Sequence, residues 1–117
     1  MLRKTVKVGD RDVVFQASAA IPRLYRAKFH RDIFKDLLKL EKSYQDRVDG
    51  VSELEIEDLE VFENVAYIMA LHADPTIPAT IEEWLDQFDM FSIYQILPEI
   101  LGLWGSNLYT DSKAKKN

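Results

Sequence analysis

His72 and Asp74 stand two positions apart, Glu82, Glu83 and Asp86 fall within five residues, and Arg23, Arg26, Lys28 and Arg31 crowd a stretch that also holds Tyr25 and Phe29. Each group suggests a chemistry. An H-x-D pair can ligate a metal or supply half of an acid–base site. Paired carboxylates hydrolyse glycosides. Interleaved cations and rings hold single-stranded nucleic acid. Position offers a plainer account of all three. No second ligating cluster accompanies His72 and Asp74, and His30 is remote in sequence, so a helix-end histidine beside a capping carboxylate explains that pair. The acidic trio sits in the first turns of an expected helix, where carboxylates face the positive end of the dipole. The basic stretch belongs to a chain of formal charge −5, which favours a solvated face or a patch for an acidic protein partner over nucleic acid. There is no cysteine, no glycine-rich phosphate loop, no Ser/His/Asp set and no zinc spacing. The chain therefore reads as a non-enzyme without catalytic, cofactor or metal residues.

The elements are organised around residues 59–72, LEVFENVAYIMALH. After Glu60 and Glu63 the run from Val65 to Leu71 carries no charge, and a helix apolar on nearly every side belongs inside a core. It is too short to cross a bilayer, which needs about 20 apolar residues, and a basic N-terminus with no apolar run behind it is not expected to be a secretory signal. Ahead of this helix, Thr5-Val6-Lys7-Val8, Gly9-Asp10-Arg11-Asp12 and Val13-Val14-Phe15 predict a β-hairpin whose outer edge could accept a partner strand. Pro22 opens a short helix to Phe29. Asp32 caps the next, in which Ile33, Leu37, Leu40 and Tyr44, widened by Phe34 and Leu38, oppose a polar face of Lys35, Asp36, Lys39 and Lys42.

Three Ser/Thr-x-x-Glu/Gln sequences, at Ser52, Thr80 and Ser92, predict capping boxes, and Phe91 is placed to staple onto Ile96. Asp49-Gly50 is a turn signal, Pro75 ends the central helix, and Pro75 and Pro78 stiffen the linker that follows it. The last helix is expected from about Phe91 towards Leu103 or Leu108, kinked at Pro98. Tyr94, Leu97, Leu101, Trp104 and Leu108 follow the three-and-four spacing of a coiled-coil seam, while Ile93, Ile96, Ile100 and Leu103 cover another face. That is more apolar surface than one contact side needs. The five seam residues are therefore the candidate protein-binding site, for a partner helix or a second copy, against the alternative of ordinary core. The expected fold is mainly α, a small helical domain of about five helices with an N-terminal β-hairpin. One domain spans 1–110, with the hairpin at 1–16, the helical part at 20–108 and a disordered basic tail at 111–117.

Read in order, VVFQASAAIPRLYRAKFHRDIF at 13–34, FENVAYIMALHADP at 62–75, EEWLDQF at 82–88 and FSIYQILPEILGLWGSNL at 91–108 resemble a tail assembly chaperone of long-tailed phages and prophages of Gram-positive bacteria. The resemblance implies a small, mainly helical protein of the host bacterial cytoplasm. It would bind the tape measure protein, a long helical protein prone to self-association, and keep it soluble until tail tube protein polymerises around it. It also implies a frameshifted longer form that recruits tail tube subunits, and no fixed active-site residues, while the net charge and the lack of a long apolar run argue against a nucleic acid or membrane partner. The alternative is a structural head–tail or tail component that acts as a helical interaction module and stays in the virion.

Overall fold

The computed structural model describes residues 2–45 and 55–104. The turn at Asp49-Gly50, the Ser52 capping box, Leu108 and the tail at 111–117 lie outside the described residues. Among those described, five helices follow a two-stranded antiparallel hairpin, as the sequence predicts.

Strands β1 (Leu2–Val8) and β2 (Arg11–Ala17) pair with Val8 opposite Arg11, so only Gly9 and Asp10 form the turn. The strands are longer and the turn tighter than the four-residue connection expected. Gly9 has φ 64° and Asp10 does not share its sign, the pattern of a type II′ turn, whose twist matches that of the strands it joins. Val6, Val8, Phe15 and Ala17 turn one face of the hairpin into the core.

Helix α1 (Ile21–Phe29) begins one residue before Pro22, which needs no intrahelical donor there. It ends where His30 adopts a left-handed conformation at φ 59° and its N–H returns to the Arg26 carbonyl. Asp32 Oδ1 accepts the Phe34 N–H at 2.9 Å and starts α2 (Ile33–Gln45). Helix α3 (Ile56–Ala73) is the axis of the domain, and every side chain from Val65 to Ala70 is buried. The hairpin packs on it through β2, and α1 and α2 pack on it as well. The uncharged run at 65–71 forms a helix here because neighbours cover it on all sides.

Helix α4 (Ile81–Leu85) opens with half of the expected capping box: Thr80 Oγ1 accepts the Glu83 N–H at 3.2 Å, while the Glu83 carboxylate accepts the Thr80 hydroxyl at 2.9 Å in place of its backbone N–H. The last helix differs from expectation. Residues 91–93 form turns, Tyr94–Ile96 form one 3₁₀ turn, and α5 occupies 97–104. Pro98 is its second residue, so it starts a helix instead of kinking one. A helix running through from Phe91 would need an N–H at position 98 for the Tyr94 carbonyl, and proline has none. Ser92 does not cap, because its hydroxyl donates back to the Asp89 carbonyl at 3.2 Å, and Phe91 is 68% exposed and staples nothing.

Candidate functional site

The groups that suggested chemistry are held apart. His72 Nε2 meets Ser18 Oγ at 3.0 Å, tying the β2–α1 turn to the end of α3, whereas Asp74 Oδ1 accepts the Thr76 N–H at 3.0 Å and its hydroxyl at 2.6 Å. The two thereby serve different turns. Those Thr76 hydrogen bonds hold the exposed Asp74 carboxyl below the usual carboxylate range. Among the described residues no carboxylate hydrogen-bonds His72, so the Ser18–His72 contact lacks the third group that orients a nucleophile's base. Glu83 is engaged in the α4 cap. Among the described residues no group of three or more His, Cys, Asp or Glu could hold a metal ion, and no helix is long and apolar enough to cross a membrane.

The basic stretch divides by depth. Arg23, Arg26, Lys28 and Arg31 are exposed, but Tyr25 is fully buried and Phe29 is half-buried against it, ring centroids 5.0 Å apart. Neither ring is free to stack on a base. Tyr25 instead donates to Asp36 Oδ2 at 2.8 Å, and Arg31 grips the same carboxylate through Nε at 2.7 Å and Nη2 at 2.9 Å. Asp36 is only 8% exposed, a correction to its place on the solvated face of α2. Its helical spacing was compatible with either side. Only the arrival of Tyr25 and Arg31 from α1 and the following turn decides for the interior. Burial pushes the Asp36 carboxyl up, but the hydrogen bonds from Arg31 and Tyr25 and the charges of Arg31 and Lys39 outweigh it and hold the group below its ordinary value. Burial and the same carboxylate raise the Tyr25 phenol.

Of the seam residues, Leu97, Leu101 and Trp104 are buried at 0, 8 and 6% exposure. Tyr94 is half-buried and Leu108 lies outside the described residues. The three α5 seam side chains among the described residues are therefore part of the core in this structure. Tyr94 donates to Glu63 Oε2 at 2.6 Å, and that bond, then burial and the Glu63 charge, push its phenol up to about 12. A group raised in the folded state lends stability that is complete below its ordinary value near 10 and is lost as pH climbs through about 12. Tyr94→Phe is accordingly expected to remove one late-titrating phenol from the absorbance titration at 295 nm. Alkaline unfolding of that variant should begin with less stability left to lose.

Exposed apolar side chains lie elsewhere, Ile56, Met90 and Phe91 among them. Leu24, Phe34 and Leu38, at 36, 47 and 53% exposure, lie on α1 and α2. The charges divide along the chain in the same way. Residues 21–45 hold seven Lys/Arg against three Asp/Glu, whereas residues 55–104 hold eleven Asp/Glu and no Lys or Arg. A block-by-block charge count shows this in the sequence, but a search for catalytic spacings passes over it. The exposed apolar side chains of α1 and α2 thus belong to the basic segment of the chain.

The described residues define a small, mainly α-helical domain with an N-terminal β-hairpin. Its open chemistry is a cationic, apolar face. No protein-family model, no curated protein and no solved structure matches this chain.

Proposed function

We propose that this protein is a tail assembly chaperone of a long-tailed phage or prophage. It acts in the host cytoplasm, binds the tape measure protein, keeps it soluble during tube assembly and leaves before the virion is complete. The observation that carries this reading is the α1–α2 face, where Phe34 and Leu38 stand exposed on a basic segment of a small domain. A long helical protein with apolar stripes aggregates unless the stripes are covered, and a helix laid across such a face covers them. The segments at 13–34, 62–75, 82–88 and 91–108 that resemble this class of chaperone support the same reading.

Co-expression with the tape measure protein tests it. The long protein is expected to stay soluble and to co-purify with this chain, and purified virions are expected to lack the chain. A tape measure protein that remains insoluble and unbound would sink the proposal. Stoichiometric retention in virions would instead make the chain a structural tail component.

A further inference from the structure

Two adjoining cavities on the α1–α2 face differ in chemistry. Ala17, Ile21, Pro22, Phe34, Met69 and Trp104 line an apolar cavity of about 270 Å³. Pro22, Arg26, His30, Arg31, Asp32 and Phe34 border a second, of about 560 Å³, in which the Asp32 carboxylate is engaged with the Phe34 N–H. Pro22 and Phe34 belong to both, so the two form one groove with Phe34 as the divide. Arg31 is already paired with Asp36, whereas Arg26 pairs with no carboxylate of the described residues. Leu38 extends the apolar edge one helical turn beyond Phe34, and Lys35 is exposed beside that edge.

We propose that this groove receives an acidic amphipathic helix of a partner protein. One apolar side chain of that helix enters the cavity against Phe34, Met69 and Trp104, and carboxylates beside it face Arg26 and Lys35. The groove is the binding face of the chaperone function proposed above, and the partner's identity rests on that reading.

Charge selects the occupant. Outside the Arg31–Asp36 and Lys39–Glu57 pairs, residues 21–45 keep five cations, Arg23, Arg26, Lys28, Lys35 and Lys42, against the two carboxylates Asp32 and Glu41, an excess that favours an acidic helix over a basic one. Size agrees, because the apolar end of the groove, about 270 Å³, has room for a side-chain anchor. A second copy is a poorer fit. Among the described residues its acidic half offers no helix with an exposed apolar stripe. On α3 only Ile56 is a large exposed hydrophobe, α4 has five residues, and Met90 and Phe91 lie outside any helix.

The test is fluorescence anisotropy with labelled overlapping peptides that tile the tape measure protein. One designed helical peptide, with leucines along one stripe and glutamates beside it, is titrated in parallel. The bound tape measure peptides are expected to be acidic and amphipathic, and the designed peptide to bind. Arg26→Glu and Leu38→Glu are each expected to weaken both by about tenfold or more, as added salt should also do. Both side chains are exposed, so circular dichroism of the variants should match the parent.

Binding confined to basic or neutral peptides, or unchanged in both variants, would overturn the groove assignment while co-purification of the full-length protein still upheld the chaperone reading. The reverse outcome, no tape measure binding but designed-peptide binding that both substitutions weaken, would uphold the groove and remove its named partner. A parent chain that sediments as a dimer, and as a monomer after Leu38→Glu, would place a second copy in the groove and overturn the proposal.

Discussion

Trp84→Ala is expected to lower the unfolding free energy by about 3–5 kcal/mol, read as a drop in the urea midpoint with an unchanged slope. Trp84 is 1% exposed and is the hub of an aromatic cluster. Phe15 of β2 meets it edge-on at 6.5 Å, Tyr67 of α3 at 5.5 Å, and Phe88, just past α4, at 5.2 Å. The indole thus joins hairpin, central helix and the segment after the proline linker. Removing it opens a cavity between elements that cannot close over it, because α3 is packed from several sides and the linker is pinned by the Tyr67 hydroxyl donating to the Pro78 carbonyl at 2.6 Å. A domain of this size has about 5–15 kcal/mol of stability, so the variant keeps only part of it. Trp84→Phe retains the ring contacts and is expected to lose much less. A loss below about 1 kcal/mol for the alanine variant would mean that this cluster does not join the three elements.

Asp36→Ala is expected to cost about 2–3 kcal/mol at neutral pH, because it leaves the buried Tyr25 hydroxyl without an acceptor. Most of the effect belongs to that hydroxyl. Arg31 is half exposed and recovers solvation once released, so its share is discounted. The double variant Asp36→Ala/Tyr25→Phe should therefore cost less than the sum of the two single changes, since it removes donor and acceptor together. The pH dependence has a definite sign. A carboxyl held below its ordinary value contributes stability that is complete above about 4 and is lost as pH falls through the folded-state value. The gap between parent and Asp36→Ala in urea melts should be full at pH 7 and shrink in strong acid. A gap that stayed constant from neutral pH into acid would show that the ionised carboxylate is not what stabilises the α1–α2 pair.

The sequence by itself determined the hairpin and the first four helices, because their patterns, caps and turn residues are local, whereas the last helix begins later than its pattern implied. The uncharged run at 65–71 could only be interior, Gly9 could take the positive φ of a tight turn, and Thr80 followed by Glu83 could only help a helix begin. The tertiary structure alone decided which of several apolar or polar faces met the core. Helical spacing placed Asp36 with the lysines and Phe34 and Leu38 with the buried stripe, yet Asp36 is inside and the two hydrophobes are outside. A helix presents every face equally until its neighbours choose, and here Tyr25 and Arg31 chose by satisfying one carboxylate. The same reason moved the apolar excess of the last segment into the core. Pro98 set where α5 begins, and Leu97, Leu101 and Trp104 joined the common core. The groove on α1 and α2 joins residues from the hairpin end, two helices, α3 and α5, and no local pattern brings those five segments together.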